Sequence, residues 1–383
     1  MDNSALFAAI DRLQGLYAGY LKEICDLESP TLDKSAVNAV ADRICLWAEE
    51  LGFSVKRFGF DGAGDLVAIT MNSGSSLPPL TVSGHMDTVH PKGLFGYPPT
   101  RIEGDMIYGP GVTDCKGGIV VCMLAMAALK EIGFAARPVR LILQSDEELG
   151  SAPSGIGTVE KMIELSRGSV AFLNTEGMEE EDTAVLVRKG IVKYRFDVQG
   201  IAAHSSKCYL GASAILEAAH KIIALEALKD SEGLTCNCGT VSGGTAHNTV
   251  AEQCSFVADV RFANESQLQW ARRFVEDLAK TSAVEGCTCT ATQISFRPAM
   301  PFEKRNSDLL ASLNAIYETA GLSPLTPTSG TGGSDAAYTT AAGIPTIDNL
   351  GIFGGRIHSR DEFASLSSLG QIARRIALAA IYL

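Results

Sequence analysis

Short apolar runs alternate with longer stretches of helical period through the first half of the chain. Residues 66–71, 80–83, 139–144 and 170–173 read as strands, and residues 35–51 and 117–132 as helices. That alternation predicts an α/β fold with a mostly parallel sheet covered by helices. Beyond residue 190 the order changes to strand (193–198), helix (212–228), two strands (236–241 and 251–262), helix (265–282) and strand (288–296). A βαββαβ series of this kind predicts a smaller domain with one helical face. Residues 307–320 are helical again, and the last candidate ligand, His358, must return to the first sheet. The expected domains are therefore 1–190 and 300–383 as two parts of one catalytic domain, with 191–299 inserted as a lid.

Composition sets limits on partners. With 383 residues, 46% of them hydrophobic, the chain has material for two cores, and it has no apolar run long enough to span a bilayer. No membrane partner is expected. The 44 acidic residues against 32 basic ones, a net charge of −12, offer no basic footprint, so no nucleic acid is expected either. Met1-Asp2-Asn3-Ser4 lacks the cationic start and apolar stretch of a secretory signal. A cytoplasmic location with the ten cysteines reduced follows as the expectation. Cys236-Asn237-Cys238 and Cys287-Thr288-Cys289 could together form a four-sulfur metal site. Residues two apart also share one face of a strand, and the Cys-x-x-Cys spacing of zinc ribbons is absent, so small strand side chains are the plainer reading.

The chemistry lies in five separated motifs. His85 stands in Ser83-Gly84-His85-Met86-Asp87, Asp114 in Gly109-Pro110-Gly111-Val112-Thr113-Asp114, and Glu148 in Asp146-Glu147-Glu148; Glu176 and His358 complete the set. Three of the motifs follow strand-like apolar runs, so a sheet could point distant side chains at one spot. Two zinc ions need two histidines and at least three carboxylates if one carboxylate bridges, and these five residues supply that set. Asp114, in a Gly-rich turn ahead of the apolar helix, is placed to bridge. His85 and Glu176 would complete one ion, Glu148 and His358 the other, at a spacing of about 3.5–4 Å. Asp87, two residues past His85, could accept the other ring N–H and fix the tautomer. Glu147, beside a ligand, could take a proton from a bridging water and return it to the leaving amine. Alone, each motif has an ordinary reading as a solvated helix start, a turn aspartate or a loop histidine; their conjunction carries the argument. His90, His220 and His247 have weaker claims.

These motifs resemble those of the co-catalytic zinc metallopeptidase and aminoacylase family, which includes glutamate carboxypeptidase, succinyl-diaminopimelate desuccinylase, acetylornithine deacetylase and the peptidase T group. The likeness extends over nearly the whole chain. Besides the five motifs it includes Gly200-Ile201-Ala202-Ala203-His204-Ser205, Gly243-Gly244-Thr245-Ala246-His247-Asn248, Asp259-Val260-Arg261 and Gly332-Gly333-Ser334-Asp335-Ala336-Ala337. The resemblance implies a cis peptide bond at Asp114-Cys115, a dimer formed through the lid, and a role for His204 as an oxyanion donor in the partner's site. Glu176, where many aminopeptidases and dipeptidases of the family use Asp, leans toward a substrate with a free carboxylate. Within the family the pattern is most like bacterial glutamate carboxypeptidase. By that likeness Asn248 and Arg261 would grip the substrate's α-carboxylate, Arg297 would hold its side chain, and Gly333 and Ser334 would also lie at the substrate. A departure follows Glu176, where Glu179-Glu180-Glu181-Asp182 stands in place of the relative's lysine. Such acidic runs are most often solvated loops.

The sequence therefore predicts a homodimeric, cytoplasmic hydrolase with two Zn²⁺, Co²⁺ or Mn²⁺ ions per subunit, cleaving a small peptide or N-acyl amino acid beside a free C-terminal carboxylate. An N-acyl-amino-acid deacylase would use the same groups. An inactive binding protein on the same scaffold is the alternative of another class, and it would be marked by loss of Glu147 or a ligand, all of which are present.

Overall fold

The computed structural model describes residues 3–231, 233–330 and 332–383, so the Met1-Asp2 part of the N-terminal reading lies outside the described residues. The chain forms two compact units, one of Met1–Leu186, Phe302–Gly330 and Ser334–Leu383, the other of Val187–Pro301 and Thr331–Gly333.

The main sheet of the larger unit runs in the order Ser54–Phe58, Leu66–Met71, Val139–Gln144, Leu80–His85, Ala171–Asn174, Thr346–Ile347. The last four strands are mutually parallel, and Leu66–Met71 is antiparallel to Val139–Gln144. Leu80–His85 and Ala171–Asn174 are buried along their whole length, as expected of strands covered on both faces. Register fixes where they end: His85 lies opposite Gln144, and Ser83 opposite Asn174. Parallel strands share their direction, so the residues that follow each of them emerge along one sheet edge.

Helix Lys116–Glu131 is apolar on every side and buried from Lys116 to Leu129. A helix of that composition belongs in a core, and it packs against the terminal helices Asn3–Asp26 and Ser368–Tyr382 as well as the sheet. A Cβ on Gly118 would lie 1.9 Å from the Thr175 carbonyl oxygen, so only glycine lets the helix start come this close to the strand end bearing Glu176. Helices Lys34–Glu50, Gly157–Ser166 and Lys304–Thr319 pack against other strands of the sheet. A second, small sheet was not foreseen: Gly354–Gly355, Phe363–Ser365, Met106–Tyr108 and Arg101–Glu103. Strands of two or three residues are too short to show a period.

The smaller unit is an antiparallel sheet in the order Thr235–Gly243, Gln253–Phe262, Gly190–Gln199, Thr288–Arg297, joined through helices Ala214–Glu226 and Glu265–Lys280. Every second residue of Gln253–Phe262 is buried, and Val192, Tyr194, Phe196, Phe256, Val260 and Phe262 form its core under the helices. The first and last strands of this order are opposite edges. Cys236-Asn237-Cys238 therefore stands three strands away from Cys289, which removes the four-sulfur reading; all ten cysteines are free thiols. Among the described residues no helix is long and apolar enough to cross a membrane.

Candidate metal centre

Five metal-preferring side chains meet in the larger unit. His85 ends its strand, Glu148 sits in a short 3-10 turn (Glu147–Leu149) just past strand Val139–Gln144, and Glu176 follows strand Ala171–Asn174 by two residues. The common sheet edge brings these three together. Asp114 comes from the loop before helix Lys116–Glu131, and its peptide bond to Cys115 is cis, as the resemblance implied. His358 comes from the loop after strand Gly354–Gly355. Its φ of +59°, like the +54° of Arg356, is a left-handed conformation uncommon for such residues, and outliers of this kind cluster at functional sites.

Asp114 is central to the group. Its Oδ1 is 2.9 Å from His85 Nε2, and its Oδ2 is 3.1 Å from His358 Nε2. Glu176 Oε1 lies 3.7 Å from His85 Nε2, and Glu148 Oε2 lies 3.2 Å from His358 Nε2. Zinc bonds of about 2.0–2.1 Å in tetrahedral array place ligand atoms roughly 3.4 Å apart, close to these pairwise distances; taken three at a time, His85, Asp114 and Glu148 lie within 4.8 Å of one another, as do His85, Cys115 and Glu176. The two histidines share Asp114, one oxygen toward each.

Electrostatics agree with the geometry. Burial, reinforced by the charges of Asp114 and Glu147, pushes the Glu148 carboxyl up to about 8 despite His358, and Glu176 up to about 7 despite His85. Burial alone would lower His85, but Cys115, Glu176 and Asp114 around it hold its pKa well above the usual imidazole range. Hydrogen bonds to Asp114 and Glu148 raise His358 to about 10. Asp114 is held well below the usual carboxylate range by both histidines, although burial opposes this. Buried carboxylates that retain protons near neutrality, set around two charged imidazoles, form a donor set that a divalent cation would satisfy better than protons do.

Asp87 faces the His85 ring, as expected, and also has a second set of contacts. His85 Nδ1 is 3.0 Å from the backbone carbonyl of Asp87, while the Asp87 carboxylate is 3.4 Å away. The chain turns back after His85, so the nearer acceptor for the ring is the carbonyl. The carboxylate, fully buried, accepts the backbone N–H of Glu147 and of Glu148, each at 3.2 Å, and the hydroxyl of Thr31 at 2.8 Å. It holds the turn that carries the acid/base candidate and a ligand. Glu147 itself is buried, and its charge helps to raise both Glu148 and Glu176.

Sequence reasoning overlooked several neighbours. Thr31 and Glu362 carry no metal-motif signal of their own, and His90, set aside as a weak candidate, is buried against Glu362 at 3.0 Å. Cys115 Sγ accepts the His85 backbone N–H at 3.2 Å, and Lys116, fully buried, donates to the Ile24 carbonyl at 3.0 Å. The Asp-Cys-Lys-Gly-Gly run contained both residues, but their contacts could not be read from it.

The other candidates are distributed differently. Ser334, expected at the substrate, is buried; its hydroxyl accepts from Asn174 at 2.9 Å and from the Ala336 N–H at 3.2 Å, so it is committed to the fold. Gly333 belongs to the smaller unit, where a Cβ would lie 2.6 Å from Arg297 Cδ. Arg261 lies in the same unit with its fork on Asp259, at 2.6 and 3.2 Å, because residues two apart on a strand share a face. His204 and Asn248 are exposed on adjoining loops, joined by the Ser205 N–H to the Asn248 carbonyl at 2.9 Å. His204 Nδ1 contacts Ser206 Oγ at 2.8 Å, and His220 and His247 are exposed. Of the acidic run, Glu179, Glu180 and Glu181 are exposed, while Asp182 pairs with Arg375 of the last helix.

Comparison with known proteins completes this picture. The chain is 28% identical to Carboxypeptidase G2 of Pseudomonas sp. (strain RS-16) over 384 residues, 99% of this chain and 91% of that one. Its fold matches the crystal structure of a tripeptidase from Staphylococcus aureus with a TM-score of 0.79 at 21% identity, covering 96% of this chain and 97% of the other. It also matches a dinuclear metal-binding peptidase of Bacillus subtilis with a TM-score of 0.70 at 15% identity, covering 97% and 98% of the two chains. The profile of Peptidase family M20/M25/M40 matches residues 81–381, a span that includes all five candidate ligands and Glu147. The chain belongs to Peptidase family M20/M25/M40 and is a metal-dependent hydrolase.

Proposed function

We propose that this hydrolase is carboxypeptidase-like, cleaving an amide or peptide bond beside a free C-terminal carboxylate in small peptides or N-acyl amino acids. The observation that carries the reading is the meeting of His85, Asp114, Glu148, Glu176 and His358 at one sheet edge, with Glu147 buried on the same short turn as Glu148. Zinc suits two imidazoles and three carboxylates, as cobalt or manganese also would. Divalent cations bound there would polarise the scissile carbonyl and make water acidic enough to lose a proton near neutral pH. Glu147, its backbone pinned by Asp87, takes that proton and delivers it to the leaving amine. A tethered acid/base group costs little reorganisation at the moment of reaction.

The carboxylate preference is supported by the likeness to Carboxypeptidase G2 along almost the whole chain. Arg261 is the proposed reader of the α-carboxylate, assisted by Asn248, with Arg297 beside Gly333 for the substrate side chain. Asp259 occupies one edge of the Arg261 guanidinium and leaves the other for a bidentate partner. The smaller unit serves as lid and dimerisation domain in this proposal, and His204 acts across the dimer. Support for an interface there comes from the half-exposed or exposed Ile215, Leu216 and Ile223 of helix Ala214–Glu226 and from Val241 on the open edge strand. Ten free thiols suit a reducing cytoplasm.

The test is hydrolysis of matched pairs of substrates, one with a free C-terminal carboxylate and one amidated, in the presence of zinc or cobalt. The proposal expects turnover of the free acids alone; equal cleavage of the amidated partners would overturn it. Sedimentation of the purified protein should give a dimer, and a monomer at micromolar concentration would remove the role given to His204.

A further inference from the structure

A carboxylate outside the ligand set organises the loop that carries Asp114. The antiparallel pairing of Phe363–Ser365 with Met106–Tyr108 sets Phe363 opposite Tyr108, so Glu362 stands beside the start of the segment running from Gly109 to Asp114. Its side chain is fully buried. Oε1 accepts the backbone N–H groups of Thr113 at 2.9 Å and Asp114 at 3.1 Å; Oε2 accepts the N–H of Gly111 at 3.1 Å and faces His90 Nε2 at 3.0 Å. The Glu362 carbonyl takes the Gly109 N–H at 3.3 Å, and the next carbonyl, that of Phe363, takes the Thr113 hydroxyl at 2.5 Å.

Four donors converge on this buried carboxylate, so both of its oxygens are satisfied within the fold. The donors are not spread over the fold. Three belong to one six-residue loop, and the last of them is the amide of Asp114 itself. Gly111 has a φ of +75°, which opens the loop so that successive N–H groups turn toward one acceptor. His90 is held from its other side by the Phe95 ring, edge-on at 4.9 Å between centroids.

From this arrangement we infer that Glu362 is a positioning residue for the metal centre. It fixes the Asp114 backbone so that one side-chain oxygen faces His85 and the other faces His358, and His90 fixes Glu362 in turn. The inference rests on the reading of Asp114 as a ligand shared by two ions, and not on which substrate is cleaved. Outer-sphere residues of this kind typically change metal affinity or activity by about 10–100-fold when altered. In Glu362→Gln one oxygen becomes an amide N–H₂ facing backbone donors, so two of the four contacts turn repulsive while the volume is kept.

The experiment uses the full-length chain, with zinc affinity measured by competition against a chelating dye and kcat and KM measured at saturating zinc. Glu217→Gln serves as the comparison, because Glu217 is an equally buried carboxylate that accepts the Ala283 and Val284 N–H groups in the smaller unit, far from any ligand in sequence. Glu362→Gln should weaken zinc binding by about 10–100-fold and lower kcat at saturating zinc, with KM within about twofold. Glu217→Gln should lower thermal stability and leave zinc affinity unchanged. His90→Gln, which removes one donor and spares the three backbone contacts, should weaken zinc binding by a smaller factor in the same direction, and it decides the matter if Glu362→Gln does not fold. Zinc affinity unchanged in His90→Gln and, where it folds, in Glu362→Gln would overturn the inference and leave Glu362 a structural residue only. Because the zinc measurement needs no substrate, failure of the carboxypeptidase reading would leave this result standing.

Discussion

Replacing Asp87 by Asn keeps the volume of a fully buried side chain and removes its charge. In the native chain Oδ1 receives the Glu147 N–H, and Oδ2 receives the Glu148 N–H and the Thr31 hydroxyl. An Asn amide fits best with its oxygen in the Oδ2 place, where it keeps two donors and sets its N–H₂ against the Glu147 N–H. Two charge-assisted bonds then weaken to neutral ones, and one buried backbone donor is left without an acceptor. At about 1–3 kcal/mol for the orphaned donor and roughly 0.5–1 for each of the two weakened bonds, the loss is about 2–5 kcal/mol. That is a large share of the 5–15 kcal/mol typical of a folded domain, but the variant should still fold. The released group is the backbone of Glu147, so the damage should concentrate in the acid/base step. Urea unfolding gives the stability loss, and kcat at saturating zinc should fall by about 10–100-fold while KM changes little. Thr31→Val, which removes one donor, should show under about 1.5 kcal/mol and at most a few-fold change in kcat. If Asp87→Asn loses stability yet retains native kcat, Asp87 supports the fold and does not hold the acid/base turn.

Glu147→Gln should keep its metal content and lose turnover by about 10²-fold or more, and native activity in that variant would remove the acid/base assignment. Arg261→Ala should cost free-acid substrates about 2–5 kcal/mol in kcat/KM if the carboxylate pair is desolvated, and cost amidated ones little. Because Arg261 is partly exposed and its ion pair with Asp259 contributes under about 1 kcal/mol, its stability should barely move; equal losses for both substrate types would show that Arg261 does not read the carboxylate. Metal uptake should depend on pH. Glu176, Glu148 and His358, raised to about 7, about 8 and about 10, retain protons in the metal-free chain and must lose them to bind a cation. Zinc affinity should therefore rise from pH 6 to 9 with protons released on binding, and calorimetry in buffers of different ionisation enthalpy that finds no proton release at pH 7 would contradict the protonation scheme.

Much of the architecture was legible because it is written in long periods. The all-apolar helix Lys116–Glu131 and the buried strands Leu80–His85 and Val139–Gln144 declare themselves by composition, and their observed ends differ from the expected ones by at most two residues. The ligand motifs were legible because each sits just past a strand or at a glycine-rich turn. Second contacts were not. Asp87 was read as a partner for the His85 ring from its spacing alone, but spacing cannot say which of its oxygens faces the ring and which faces a turn sixty residues away. Glu362 lies four residues after His358, and it becomes important only because the three-residue strand that follows it pairs Phe363 with Tyr108 and so sets Glu362 beside the Asp114 loop. Ser334 looked available because it lies in a Gly-rich motif; its burial depends on Asn174, 160 residues earlier.

The most direct test of the central claim is a crystal of the zinc-loaded chain measured at the zinc absorption edge. Two anomalous peaks per chain are predicted, one among His85, Asp114 and Glu176 and one among Asp114, Glu148 and His358, about 3.5–4 Å apart. A single peak, or peaks away from these side chains, would contradict the shared-carboxylate centre on which the rest depends.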